Sequence, residues 1–312
     1  MSDDSNDKVI ATLRTEQRSQ ETTGIASLPT LGILEKINDM DQTVAPAVRK
    51  VLSQAVPAVE LIAEKIKAGG RLVYVGAGTS GRLGFMDAAE CAPTYGTDRV
   101  CCVMAGGREA VFRAQEARED ESYLAVNDLK SMELSSSDVV FAIAASGRTP
   151  YCIAALDYAA EIGAASISLS CNRDAVMSRH AKISIELETG PEVVMGSTRM
   201  KAGTAEKMVM NMISTAVMIR LGRTYDNLMI KLDCKNRKGR NRAARLFLEA
   251  TGGDNIAYAR KALETSGGSL EIAVLVELTG ATVDQAKEAL EKFNNHFSNA
   301  LNWLYAAMKV AV

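Results

Sequence analysis

The first 28 residues are polar, with Ser, Thr, Asp and Gln throughout, and read as an arm that orders only by packing against something else. From Leu31 to Met40 the apolar positions fall at helical spacing, and Asp41 or Thr43 can cap the segment that follows. There Val48, Val51, Leu52, Ala55, Val59, Ile62 and Ile66 recur at helical intervals. Pro57 interrupts them and predicts a kink or the first turn of a new helix. Gly69-Gly70 ends the pattern, as glycines after a helix do.

The period then changes. Five short apolar, β-branched runs follow: Arg71 to Val75, Val100 to Met104, Asp138 to Ala144, Ala165 to Leu169 and Lys182 to Leu187. Helical patterns lie between most of them, over Glu109 to Glu121, Pro150 to Ile162 and a short stretch near Ala175. Strands alternating with helices predict a parallel sheet covered on both faces. Five strands make it a flavodoxin-like, doubly wound α/β domain. After the fifth run the strands stop. A long helix over Ser197 to Arg220 carries Met208, Met212, Ile213, Ala216 and Val217 on one face. Further helices are predicted over Arg240 to Thr251, Ala257 to Thr265, Ser269 to Thr279 and Val283 to Leu304, with Gly252-Gly253 and Gly267-Gly268 as caps. The division expected is an arm with helices over 1–55, the α/β domain over 56–222, and a small all-helical C-terminal domain over 223–312.

Charge and composition narrow the function classes. The 36 Lys+Arg nearly balance 38 Asp+Glu for a formal charge of -2, which argues against nucleic acid as the main partner. No apolar run approaches the roughly 20 residues needed to cross a bilayer. The N-terminus lacks the charged and apolar regions of a secretory signal, so no membrane association and a cytoplasmic location are expected. Cys91, Cys101, Cys102, Cys152, Cys171 and Cys234 form no CxxC pair and read as free thiols in a reducing compartment. The two histidines, His180 and His296, are far apart, which argues against a histidine-rich metal site or a triad built on several imidazoles. Neither a metal nor a cofactor is expected, and acid–base chemistry falls mainly to carboxylates.

Two loops carry the chemistry. The first, GAGTSGRLG from Gly76 to Gly84, follows a strand and precedes a helix. Gly76, Gly78 and Gly81 satisfy a dinucleotide-type GxGxxG, but Thr79 and Ser80 sit inside it and no acidic residue closes a second strand about 20 residues on. A phosphate held by Thr79, Ser80, loop N–H groups and a helix N-terminus fits better, with a structural tight turn as the alternative. The second loop, from Ala145 to Pro150, offers Ser146, Gly147 and Thr149, with Pro150 as the first helical residue. Both loops fall at the carboxyl edge of the sheet, where open α/β sheets bind ligands. A hydroxyl that only caps its helix is the alternative for Ser146 and Thr149. Glu90 follows the first loop, with Cys91, Pro93 and Thr94 predicted to form a turn. Glu109, Glu116, Glu119, Asp120 and Glu121 crowd the next helical stretch, and composition alone does not single one out.

The blocks GGRLVYVGAGTSGRLGFMDAAECAPTYG, NDLK, AASGRTPY and STRMKAGTAEK resemble those of N-acetylmuramic acid 6-phosphate etherases, within the sugar isomerase (SIS) superfamily of phosphosugar-binding folds. The resemblance runs from about Thr15 through the C-terminal helices. Ser19, Ala92 and Thr198 depart from the family pattern, and the span between PTYG and AGG is slightly short. The resemblance implies an SIS domain over 56–222 and a cofactor-free lyase that removes D-lactate from C3 of the sugar and adds water. It implies Glu90 as the acid that protonates the lactyl oxygen and Glu119 as the C2 base or water activator. Thr79, Ser80, Ser146, Thr149, Ser197, Thr198 and Lys201 become the phosphate ligands, with Gly76, Gly78 and Gly147 as a backbone cradle. Lys201 also reads as a surface residue at a helix start. A homodimer with the site near the subunit interface is expected on the same basis. The alternatives are a sugar-phosphate sensor of the same fold, like the glucokinase regulatory protein, and an aldose–ketose isomerase, which needs the C2 base but no acid at C3.

Overall fold

Five β-branched runs become one parallel sheet in the computed structural model, which describes residues 12–232 and 237–310. The strands are β1 (Leu72–Gly76), β2 (Val100–Met104), β3 (Val139–Ile143), β4 (Ala165–Ser170) and β5 (Ile183–Glu186), in the order β2-β1-β3-β4-β5. Every residue of β1, β3 and β4 is buried, as strands covered on both faces must be. Leu72 pairs with Val100 on one side and Val139 on the other, so strand order reverses between β1 and β3.

Ahead of the sheet come α1 (Thr30–Asp41), α2 (Val44–Arg49) and α3 (Leu52–Lys67). The break falls at Lys50-Val51, upstream of the expected Pro57, which sits inside α3 in its second turn. Past the first turn, Pro57 forfeits the bond to the carbonyl four residues back and its ring crowds that carbonyl, yet the helix runs on to Lys67. Neither Asp41 nor Thr43 caps α2, because the Thr43 hydroxyl donates backward to the Met40 carbonyl at 2.7 Å. The described part of the arm orders against its own chain. Thr15 and Thr22 are buried, Asn172 Nδ2 donates to Thr15 Oγ1 at 3.0 Å, and the Thr22 hydroxyl donates to the Val193 carbonyl at 2.9 Å. Residues 1–11 of that arm and Cys234 lie outside the described residues.

The crossover helices are α4 (Gly78–Tyr95), α5 (Gly107–Phe112), α6 (Ser122–Ser131), α7 (Pro150–Glu161) and α8 (Lys201–Arg220). The single helix expected over Glu109 to Glu121 is instead α5, an extended break at Arg113 and a 3₁₀ turn over Glu116–Asp120. A helix there would crowd Glu116, Glu119, Asp120 and Glu121 onto neighbouring positions with only Arg113 and Arg118 to compensate. The turn expected after Glu90 is absent, since α4 runs through Pro93 to Tyr95.

The described residues divide into two compact units, one from 12–88 and 99–214, the other from 89–98, 215–232 and 237–310. The second holds a two-stranded hairpin, β6 (Thr224–Tyr225) with β7 (Leu228–Met229), and helices α9 (Arg237–Thr251), α10 (Ile256–Thr265), α11 (Leu270–Thr279), α12 (Val283–Lys292) and α13 (Phe297–Val310). Phe247, Val274, Leu275, Phe297 and Leu304 are fully buried at its centre. The one long helix expected over Val283 to Leu304 is two helices, because Asn294 and Asn295 take positive φ of 52° and 62° and stop the first.

At the amino edge of the sheet one carboxylate ties the start of β1 to the turn before β3. Asp138, 2% exposed, accepts from the Arg71 amide at 2.8 Å, the Arg71 guanidinium at 2.8 Å and the Ser135 amide at 2.9 Å. Burial opposes its ionisation, but these donors together hold the carboxyl below its ordinary value. Stability from such a group is fully present above the ordinary carboxylate range and is lost as pH falls through the lowered value. Asp138→Ala is expected to cost on the order of 3 kcal/mol in urea denaturation at neutral pH. Asp138→Asn, which cannot ionise, is expected to lose less stability than the wild type between neutral and acid pH.

Candidate functional site

The end of β1 and the start of α4 approach more closely than side chains allow. A Cβ on Gly76 would lie 2.7 Å from the Gly81 nitrogen, and one on Gly81 would lie 2.7 Å from Met104 Cβ. Glycine at both positions lets α4 begin flush against the sheet. Thr79 and Ser80, expected in a loop, therefore occupy the first helical turn, where unpaired backbone N–H groups concentrate positive potential.

A cavity of about 410 Å³ opens at this edge, at the reversal of strand order. Gly78, Thr79, Ser80 and Arg82 line it from α4. Ser146 and Thr149 come from the β3–α7 loop, Ser197, Thr198 and Arg199 from the segment before α8, and Glu116 and Glu119 from the 3₁₀ turn. Glu16 of the arm completes the lining. Thr149 stands at the N-cap position of α7 but makes no capping hydrogen bond, so the capping alternative is not the one its side chain adopts. Ser146 Oγ accepts from the Arg148 amide at 3.2 Å.

The remaining site candidates sit elsewhere. Gly76 ends β1 and Gly147 turns the β3–α7 loop with φ 69°; neither lines the cavity. Glu90 is exposed on the outer length of α4 and is not among the lining residues. Lys201, 3% exposed, begins α8 with its ammonium on the Pro191 carbonyl at 3.1 Å. Burial lowers its pKa against the opposing pull of Glu192, Glu21 and Asp41. Beside it, both carboxylate oxygens of Glu192 accept amides of α8, from Lys201 at 3.0 Å and Ala202 at 2.9 Å. That cap fixes the helix start behind Ser197 and Thr198.

The electrostatics are uneven. Glu16, Glu116 and Glu119 face Arg82 and Arg199, and Arg82 also donates to the Val111 carbonyl at 3.2 Å. Burial, then the charges of Asp120 and Glu116, raise the Glu119 pKa above the usual carboxylate range. Among the described residues no three His, Cys, Asp or Glu side chains group closely enough to hold a metal ion. Sequence reasoning missed Glu16, Arg82 and Arg199 at the cavity, left Glu116 in the solvated crowd, and missed Glu206 behind it. Only Glu206 carried a pattern, sharing the spacing of buried Ala202, Val209 and Ile213 on α8.

Comparison with known proteins places the chain. Residues 54–160 match the model of the glucokinase regulatory protein N-terminal SIS domain, and residues 121–216 match the SIS domain. The chain is 48% identical over 294 residues to an N-acetylmuramic acid 6-phosphate etherase of Halalkalibacterium halodurans, covering 94% of this chain and 98% of that one. It is 46% identical over 291 residues to the protein of that name from Clostridium beijerinckii, covering 93% and 95%. For the Mycolicibacterium smegmatis protein of that name the identity is 46% over 294 residues, covering 94% and 98%.

Because burial leads the causes at Glu119, removing its neighbours' charges is expected to lower its raised pKa only part of the way. A ¹³C NMR titration of Glu119 in the wild type and in the Glu116→Gln/Asp120→Asn double variant checks this. Full return to the ordinary value would assign the shift to charge instead.

Proposed function

The chain belongs to the N-acetylmuramic acid 6-phosphate etherase family, with an α/β SIS fold, and from that premise we propose how its residues carry out the reaction. The enzyme is a carbon–oxygen lyase that releases D-lactate from N-acetylmuramic acid 6-phosphate, leaving N-acetylglucosamine 6-phosphate, in recycling of cell-wall amino sugar. The observation that carries the site assignment is the convergence of six hydroxyls and Glu119 on one cavity at the carboxyl edge of the sheet.

The chemistry sets the demands. With the sugar open, the C1 aldehyde acidifies the C2 proton. A base removes it, the electrons form a C2–C3 double bond, and the lactyl oxygen leaves C3 as it takes a proton from an acid. Water then adds at C3, and C2 is reprotonated. Two carboxyl groups of separated pKa supply these transfers. Glu119 is the C2 base, and its raised pKa makes it a stronger proton acceptor than an ordinary carboxylate. Glu90 is the acid at the lactyl oxygen.

Thr79, Ser80, Ser146, Thr149, Ser197 and Thr198 hold the phosphate, with the N-terminal turns of α4 and α7 adding backbone donors and dipole. Phosphate binding positions C2 and C3 for the transfer. Lys201 supports this from beneath, since its ammonium is held by Pro191.

One chain's cavity contains Glu119 and not Glu90. In this reading the protein is a homodimer with its site near the subunit interface, and the acid is supplied by a second copy. The enzyme acts in the cytoplasm, where thiols such as Cys152 and Cys171 stay reduced.

Incubation with N-acetylmuramic acid 6-phosphate in ¹⁸O-labelled water is expected to release D-lactate and place labelled oxygen at C3 of the product. Tight sugar-phosphate binding without lactate would make the protein a sensor. Glu90→Gln is expected to lower kcat by roughly 10²–10⁴, with binding of N-acetylglucosamine 6-phosphate kept within a few-fold. Co-expression of Glu90→Gln with Glu119→Gln tests the shared site. Random pairing leaves half the dimers mixed, each with one intact site, and restores about a quarter of wild-type activity. No recovery would place both glutamates on one chain.

A further inference from the structure

Ser80 is held by a carboxyl group that the reaction itself does not use. Glu206 on α8 is 1% exposed, and Ser80 Oγ lies 2.9 and 3.1 Å from its two carboxyl oxygens. The groups facing Glu206 from the elements around it are Ser80 of α4, Cys152 of α7, Cys171 beyond β4 and Glu192 ahead of α8. No guanidinium or ammonium pairs with it among the described residues.

A serine hydroxyl has one proton and two lone pairs. If Glu206 is ionised, it takes that proton, and Ser80 shows the cavity only lone pairs with a buried negative charge behind them. A phosphate dianion accepts hydrogen bonds and donates none, so this arrangement repels it. If Glu206 is neutral, its own O–H donates to Ser80 Oγ and the serine proton turns toward the cavity. A carboxylate this buried with no cation is costly. Burial, reinforced by the charge of Glu192 and opposed by the Ser80 hydrogen bond, pushes the Glu206 pKa up to about 8.

We propose that Glu206 is a positioning residue whose carboxyl proton converts Ser80 from a hydrogen-bond acceptor into the donor that the substrate phosphate requires. The proposal rests on the reading of Ser80 as a phosphate ligand. It makes phosphate affinity and Glu206 protonation mutually linked: binding draws a proton onto Glu206, and loss of that proton weakens binding.

The test measures binding of N-acetylglucosamine 6-phosphate by calorimetry between pH 7 and about 9.5, above the second phosphate ionisation. The wild type is expected to lose about tenfold in affinity per pH unit above about 8, the value Glu206 reaches by burial. It is also expected to take up a proton on binding there, read from the buffer dependence of the heat. Glu206→Ala, which leaves the Ser80 hydroxyl free to donate, is expected to bind within a few-fold of wild type at pH 7 and to lose the alkaline fall. Glu206→Gln, whose amide donates but cannot ionise, is expected to keep the pH 7 affinity and to remove both the alkaline fall and the proton uptake. An alkaline fall that persists in Glu206→Gln, or is absent from the wild type, overturns the proposal. Ser80→Ala separates the two layers and needs no Glu206 variant to fold. Weaker binding with no proton uptake supports both readings. Weaker binding with uptake intact overturns only the role of Glu206. Wild-type affinity in Ser80→Ala overturns the phosphate reading itself.

Discussion

Helix α4 begins where it does because Gly76 and Gly81 lack side chains. Either Cβ would come within 2.7 Å of a neighbouring atom, so any substitution pushes the helix start away from the sheet. With both glycines in place, the free N–H groups of the first turn open directly into the carboxyl edge. Ser80 is carried inward to Glu206, and Thr79 is carried across to α8, where a Cβ on Gly203 would meet its methyl at 3.1 Å. The start of α8, the burial of Glu206 and the proposed phosphate recognition all follow from that close approach. The contact is steric, so salt does not weaken it and pH does not titrate it.

The hydroxyls of this site solve a charge problem. Three carboxyl groups line the cavity proposed to receive the phosphate, with Arg82 and Arg199 as lining cations and Arg82 partly engaged by a backbone carbonyl. Direct Coulomb attraction is therefore a weak basis for holding the phosphate there. Neutral donors and helix N-termini serve better, because they supply directed hydrogen bonds without adding mobile charge. The ammonium of Lys201, the obvious cation in its sequence block, is turned to Pro191 beside the Glu192 cap. That hydrogen bond ties the helix start behind Ser197 and Thr198 to the Pro191 segment, and the proposed phosphate is left to hydroxyls.

The sheet was legible because each strand is a β-branched run bounded by turn residues, and burial on both faces leaves no alternation to misread. All five strands form, in the flavodoxin-like order, each within one residue of its expected ends. The acidic segment was not legible. REAVFRAQEAREDES has helical spacing, but its like charges and the extended backbone at Arg113 break it into α5 and a 3₁₀ turn. Repulsion between side chains does not appear in a hydrophobic period. The Asn294-Asn295 stop was missed for a similar reason, since asparagine at positive φ ends a helix without the glycine that marks such ends in sequence. Of the site, the hydroxyl loops were visible because Ser, Thr and Gly between a strand and a helix have a direct meaning at the sheet edge. Glu16, Arg82 and Arg199 reach the cavity only through tertiary folding, and their local sequence gave no sign of it.

With two histidines in the chain, proton transfer near neutral pH falls to carboxyl groups whose pKa must rise, and burial is the means used. At Glu119 burial is partial and neighbouring carboxylates add to it, which leaves a group at the cavity wall able to accept and return a proton. At Glu206 burial is nearly complete and no cation answers it, which favours the neutral form as a hydrogen-bond donor. One physical effect thus yields two functions, separated by access to the reacting atoms. In the proposed reaction the base must touch substrate and so cannot be fully buried, whereas the proposed positioning acid acts through Ser80 and can be. Degree of exposure, rather than residue type, tells the two glutamates apart, and it becomes visible only after the chain has folded.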